Sequence, residues 1–345
     1  MISRIPVPRV RTAEEATELV GSKVPTHEPT FRGPALFLDA DTGEPVMGHL
    51  PMTDLDRFRS VILGIEWGGS TDNYRAASGN RNKSWTFGYR PRKPMMRNEG
   101  CVLSSFGRDN PAAHAYLAHY ADVLARQLGG VFPEIEIMGR DVIQQVLPDW
   151  RLSDDSLWTS GVINKESSLP YHRDGNNFDA WSVMPVVRRG VRGGHLHVPE
   201  YDMVVPCRDG YSVMFFGKKL VHGVTPMVKT TPDAYRISVV YYALRGLKDC
   251  HTFAEETARA AVKRTEREAA LGRKAADPND PGPERVLNRD SRPAEGGAAR
   301  FGSGRNAGRG RAMTYEEPRP GDRDESQPRG GGEPKAVRPG RWRSM

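Results

Sequence analysis

Between residues 155 and 245 the chain is cut into short runs of Val, Tyr, Phe and Ile, each closed by glycine, proline or charge. Runs of this length suit strands, in which successive side chains alternate between the two faces of a sheet. The pattern predicts strands over 158–163, 182–188, 211–216 and 235–244. An earlier pair, 35–39 and 45–50, flanks Asp-Thr-Gly and reads as a hairpin. Several short strands with turns at this spacing point to a β-sandwich or jelly-roll. Helical patterns fall outside this stretch, at 54–63, 111–128 and 253–273. Pro111 suits a first helical turn and Gly129-Gly130 a stop, while 253–273 is rich in Ala, Glu and Arg without proline. The expected class is α+β: a double-stranded β-helix (jelly-roll) core at 155–245 with flanking N-terminal helices. That core sits in a domain of residues 1–250 with an N-terminal helical and hairpin extension, followed by a helix at 251–275.

Composition changes after this helix. Residues 276–345 hold 12 glycines and 9 prolines and no apolar periodicity. Such a segment cannot bury enough surface to offset its ordering entropy, so a disordered Gly/Pro/Arg-rich tail is expected. The whole chain has 345 residues, 50 Lys and Arg against 43 Asp and Glu, and a net charge of +7. No apolar run reaches the roughly 20 residues a membrane helix needs. The start, MISRIPVPRVRT, places Arg and Pro where a secretory leader needs apolar residues. The three cysteines, Cys101, Cys207 and Cys250, lie far apart and suggest neither a disulfide framework nor a paired-cysteine zinc site. A soluble, cytoplasmic protein is the expectation, with no membrane and no obligate protein partner.

Chemistry concentrates between 171 and 244. His172 and Asp174 are two residues apart, so on an extended segment both reach one side. His222 follows in Leu-Val-His-Gly-Val-Thr-Pro, and Arg236 opens Arg-Ile-Ser-Val-Val-Tyr-Tyr. Alternation there sends Arg236, Ser238, Val240 and Tyr242 to one face and Ile237, Val239 and Tyr241 to the other. Two histidines and one carboxylate are the facial triad of non-haem Fe(II) oxygenases, which leaves open positions for a 2-oxo acid and O₂. Arg236 offers a planar fork to the far carboxylate of 2-oxoglutarate, and Ser238 on the same face adds a hydrogen bond. His195 and His197 also share a face and are rival ligands. No Arg-x-Ser strand follows them at a suitable distance, which favours a structural or supporting role.

These motifs resemble the TET/JBP dioxygenases, Fe(II)- and 2-oxoglutarate-dependent oxidases of pyrimidine bases in nucleic acids. The likeness lies in His-Arg-Asp-Gly-Asn-Asn at 172–177, similar to the family's H-x-D-x-x-N, in His222-Gly-Val-Thr-Pro, and in Arg236-Ile-Ser. It implies iron on His172, Asp174 and His222, with 2-oxoglutarate on Arg236 and Ser238. It also implies that Asn177 hydrogen-bonds a flipped base and Tyr242 lines the base pocket. The cysteine-rich region of animal TET proteins is absent, so the chain is more similar to compact bacteriophage and bacterial TET-like proteins, placing it in host-cell cytoplasm if phage-encoded. The implied reaction is hydroxylation of the C5 methyl of 5-methylcytosine in double-stranded DNA, or the same chemistry on thymine. A protein or small-molecule hydroxylase, a non-catalytic nucleic-acid-binding jelly-roll and a structural metal site are the alternatives.

Residues 73–98 bear on the substrate. They carry seven basic and no acidic residues, with Tyr74, Trp85, Phe87 and Tyr89 interleaved. Cations for phosphates and aromatics for stacking suit a nucleic-acid groove, with Trp85, Arg81 and Arg90 the expected contacts. Arg188, Arg189 and Arg192 form a smaller basic patch.

Overall fold

The computed structural model describes residues 2–29, 31–67, 72–75, 80–92 and 100–270, with the backbone alone at 72–75 and 80–82. The segment expected to be a disordered tail lies outside the described residues. In chain order the strands are β1 Ser3–Val7, β2 Ala35–Asp39, β3 Pro45–Pro51, β4 Asp72–Arg75, β5 Asn80–Arg90, β6 Val102–Leu103, β7 Ser160–Lys165 and β8 Ser182–Arg189. They continue with β9 Val191–Gly193, β10 Leu196–Val198, β11 Met203–Val205, β12 Tyr211–Phe215, β13 Gly223–Val224, β14 Met227–Lys229 and β15 Tyr235–Tyr242. The helices are α1 Ala13–Thr17, α2 Leu55–Leu63, α3 Ser105–Asp109, α4 Pro111–Gly129, α5 Pro133–Ile143 and α6 Phe253–Ala270. Among the described residues no helix is long and apolar enough to cross a membrane.

Ten strands form one sheet in the order β1-β2-β3-β12-β8-β15-β7-β5-β4, with β6 beside β5. Only β1 and β2 run parallel. Two small sheets, β11-β10-β13 and β14-β9, complete the fold. The chain alternates between large and small sheets: β8 leaves through β9, β10 and β11 and returns as β12, which leaves through β13 and β14 and returns as β15. That winding is the expected jelly-roll, and β8, at its centre, pairs both β12 and β15.

Burial explains the layering. Met184, Val186, Val213 and Phe215 of the large sheet meet Leu196, Val198, Met203, Val205 and Val224 of the small strands in one apolar cluster. The opposite face carries Val183, Val187, Ile237, Val239 and Tyr241 against the helices. Helix α4 supplies Leu117, Ala121, Leu124 and Leu128 at three- and four-residue spacing, the apolar stripe a sheet-packed helix needs. Helix α5, which the sequence pattern leaves unassigned, adds Ile135 to this layer.

The reading of scattered cysteines needs a correction. Cys101 and Cys250 form a disulfide across 149 residues, with their Cα atoms 6.1 Å apart, while Cys207 is free and buried. Separation along the chain did not translate into separation in space, because α6 returns to the strand pair β5–β6. Glu256 of α6 anchors that return. Its buried carboxylate accepts from Arg92, from the Cys101 N–H at 2.8 Å and from the His251 N–H at 3.0 Å. Burial alone would raise this carboxyl; the Arg92 guanidinium and the two N–H groups outweigh it and lower the pKa to about 2.

Candidate metal and co-substrate site

His172 and His222 come together through backbone geometry. They form an isolated antiparallel bridge in which the His172 N–H donates to the His222 carbonyl at 2.9 Å and the His222 N–H to the His172 carbonyl at 3.0 Å. Their rings lie 4.4 Å apart between centroids. Asp174 reaches the same point, with Oδ1 3.8 Å from His172 Nε2 and Oδ2 4.0 Å from His222 Nε2. One ligand atom from each of the three residues falls within 4.8 Å of the other two.

The imidazole tautomers follow from the partners. His172 Nδ1 lies 2.8 Å from the Pro170 carbonyl and His222 Nδ1 3.0 Å from the Leu220 carbonyl. A carbonyl only accepts, so both Nδ1 atoms carry the proton in the neutral rings, and both Nε2 lone pairs face Asp174. This is the arrangement a metal-binding histidine requires, the rear N–H held by an acceptor and the front nitrogen turned toward the other ligands.

The intervening residue is used elsewhere. Arg173 turns away and donates to Thr17 Oγ1 at 2.7 Å and to the Ala13 carbonyl at 2.9 Å. Helix α1 is set for this by a capping box, with Thr12 and Glu15 exchanging side-chain and backbone hydrogen bonds. Across the site, a Cβ on Gly217 would stand 2.4 Å from Asp174 Oδ2. The carboxylate therefore needs glycine at 217, where the backbone also holds Asp174 through its N–H, donated to the Gly217 carbonyl at 3.0 Å.

Arg236 and Ser238 project from β15 into the same cavity of about 780 Å³, which the triad also lines. Arg236 is 1 % exposed. Its Nε donates to the Gly194 carbonyl at 2.8 Å and its Nη1 lies 3.4 Å from Ser238 Oγ, whereas its buried Nη2 has no partner. No ion pair to Arg236 occurs among the described residues. A buried guanidinium without a carboxylate is costly, and an anion in the cavity would relieve it. The strand alternation read from the sequence holds: Arg236, Ser238, Val240 and Tyr242 line the cavity and Ile237, Val239 and Tyr241 the helix-covered core.

Asn177 lines the cavity as well, bridged by its backbone to Leu244. The rival histidines stand apart from the triad. His195 accepts the Cys207 N–H on Nδ1, and His197 contacts Tyr171 and Asp202.

Strand β5 departs from the expectation. Trp85 packs on the helix-facing core, with its ring 5.9 Å from Phe106 and its Nε1–H donating to the Glu66 carbonyl. Phe87 is buried in that core and Tyr89 packs beside Trp150. Arg92 is engaged by Glu256. Arg90 is half-buried and does not line the cavity, and the Arg81 side chain lies outside the described residues. The residues of β5 that do reach the cavity are Ser84 and Thr86. Ser84 pairs with Asn164 of β7, which pairs with Ser238 of β15, so a polar row crosses three strands beside Arg236. Sequence reasoning missed Ser84, Thr86 and Asn164, because small polar residues at alternate strand positions give no signal until the registers are known.

No protein-family model matches the chain, and no curated protein does. Many solved structures are similar to it, and three of them illustrate the likeness. One is NgTET1 in complex with 5mC DNA, at 12 % identity and a TM-score of 0.47, over 74 % of this chain and 100 % of that one. Another is an oxidoreductase of the 2OG-Fe(II) oxygenase family from Burkholderia pseudomallei, at 15 % identity and a TM-score of 0.40, over 71 % and 99 %. The third is a putative oxygenase from Shewanella oneidensis, at 14 % identity and a TM-score of 0.34, over 79 % and 99 %.

Proposed function

We propose that this chain is an Fe(II)- and 2-oxoglutarate-dependent dioxygenase that hydroxylates the C5 methyl group of 5-methylcytosine in double-stranded DNA. One observation carries the chemistry: a His-Asp-His cluster whose ligand atoms lie within 4.8 Å of one another shares a cavity with a buried arginine whose Nη2 has no partner. The donor set, two imidazole nitrogens and a carboxylate, fits Fe(II). The unpartnered guanidinium beside Ser238 fits the distal carboxylate of 2-oxoglutarate.

In this reading His172, Asp174 and His222 would hold the metal, in the same cavity that Arg236 and Ser238 line. Iron bound there would supply the oxidative chemistry, coupling decarboxylation of 2-oxoglutarate to succinate and CO₂ with insertion of the other oxygen atom of O₂ into a methyl C–H bond. Arg236 and Ser238 fix the co-substrate's far end and so set which atoms face the metal. The Pro170 and Leu220 carbonyls keep both imidazoles in the Nε2-ligating tautomer throughout. Val162, Val240, Met184 and Phe215 form the apolar lining that limits water.

The substrate reading rests on the rest of the wall. Ser84, Thr86, Asn164, Asn177 and Tyr242 present hydroxyl and amide groups, which suit the hydrogen-bonding edge of a neutral pyrimidine better than a charged side chain. A base within a duplex has to flip out to reach such a cavity. Asn177 and Tyr242 are assigned to that base.

Nucleoside mass spectrometry of methylated duplex DNA, incubated with the protein, Fe(II) and 2-oxoglutarate, tests the proposal. The expected product is 5-hydroxymethylcytosine, with succinate released in equal amount. Succinate release stimulated by peptides or free metabolites but not by DNA would keep the chemistry and overturn the substrate.

A further inference from the structure

A second cavity, of about 660 Å³, lies behind the wall that carries Gly193 and His195. The next residue in that wall, Gly194, gives its carbonyl to Arg236, so the two cavities share this partition. Arg32, Arg188, Arg189, Arg192 and Arg208 line the second one together with His195. Among the described residues two carboxylates line the cavity with them, Glu28 and Asp209. Asp209 is already engaged, accepting from the Arg59 guanidinium at 2.7 Å and from the Arg188 N–H at 2.8 Å. Glu28 Oε2 stands 3.7 Å from His195 Nε2.

Three of the five arginines have partners within the fold. Arg188 donates to the Cys207 and Val191 carbonyls, Arg208 donates to the Arg32 carbonyl and lies over the Tyr211 ring, and Arg189 pairs with Asp233. The guanidinium groups of Arg32 and Arg192 are exposed and have no hydrogen bond or ion pair among the described residues. Burial lowers His195 to about 4, and the charges of Arg188 and Arg236 push in the same direction. Positive charge gathered in a concavity, with five guanidinium groups against two carboxylates of which Asp209 is already engaged, is a standing attraction for an anion.

We infer that this second cavity is a phosphate-binding site, with Arg32 and Arg192 as the forks that grip the ligand. Several planar guanidinium groups suit a tetrahedral oxyanion, to which each can present two parallel N–H donors. The phosphate comes either from a nucleic-acid backbone or from free phosphate. The inference does not depend on the metal site.

The test pairs two probes with the metal-free full chain. Inorganic phosphate is titrated while the melting temperature is followed, and a fluorescent DNA duplex is titrated by anisotropy over a series of NaCl concentrations. The variants are Arg32→Glu with Arg192→Glu, the same pair changed to Gln, and Arg259→Glu with Arg264→Glu on α6 as a control of equal charge. The expected result for the wild type is a rise in melting temperature with phosphate. It should vanish in both cavity variants and persist in the α6 control. If DNA is the source, the Glu variant also binds the duplex at least about 10-fold more weakly at low salt, and the slope of log affinity against log salt falls by about 2. Loss of the phosphate response with duplex binding unchanged supports the site and assigns it to free phosphate. No phosphate response in the wild type, with duplex binding equal in cavity and control variants, overturns the inference.

Discussion

Glu256 and Arg236 are both charged and both 1 % exposed, yet the chain treats them in opposite ways. Glu256 is surrounded by donors: the Arg92 fork and the N–H groups of Cys101 and His251. Arg236 has one carbonyl, one distant hydroxyl and a buried nitrogen with no partner. A buried charge that is fully paired holds the fold together and has nothing to offer a ligand. One left incomplete at a cavity wall keeps its remaining bonds for something that arrives later. The first region should therefore answer mutation in stability, and the second in binding and turnover.

The sharpest contrast is expected at the triad. Asp174→Ala should lower methyl oxidation by more than about 1,000-fold and abolish tight Co(II) or Fe(II) binding in calorimetry, since two histidines alone make a poor site. The melting temperature of the metal-free chain should move little. Arg236→Met comes next. Removing its charge-assisted contacts should raise the KM for 2-oxoglutarate by about 100-fold while metal affinity stays intact. Metal-free stability should hold or rise, because the lost charge had no counter-charge; a large fall would erase the distinction between the two regions.

Glu256→Gln should do the reverse. Denaturant unfolding is expected to show a loss of about 2–3 kcal/mol, with turnover at low temperature unchanged. Its pH dependence has a definite sign. The carboxyl titrates at about 2 in the folded chain against 4.5 ordinarily, so its contribution is present above pH 4.5 and drains away as pH falls toward 2. The Gln variant should lack that component of the acid transition. The smallest effect is assigned to Asn164→Ala, about 3- to 10-fold in kcat/KM, the scale of one neutral hydrogen bond. A change confined to the KM for 2-oxoglutarate would place the amide on the co-substrate, and one confined to the DNA would place it on the base.

Much of the site was legible locally. Strand alternation put Arg236, Ser238 and Tyr242 on one side, and His172 with Asp174 two residues apart, before any contact was known. The same reasoning grouped Trp85, Phe87 and Tyr89 correctly on one face of β5 but assigned that face to nucleic acid, whereas it packs on helices and on Trp150. Alternation gives parity without saying which side is buried. Nor could a linear reading see that Arg92, counted among the free basic residues, is held by Glu256, or that Cys101 meets Cys250. Asn164 was passed over because its neighbours in the polar row, Ser84 and Ser238, lie on other strands.

By itself the sequence determined what depends on a few adjacent residues: strand parity, helix stripes and caps, and the order of the ligating motif, because backbone geometry sets these within a turn or two. The tertiary structure alone decided which face of each strand sees solvent, cavity or core, which charges are paired, and that the triad and an incompletely bonded arginine open into one space. Those outcomes turn on burial and on partners far away in the chain, and their free energies exist only once the whole sheet has closed.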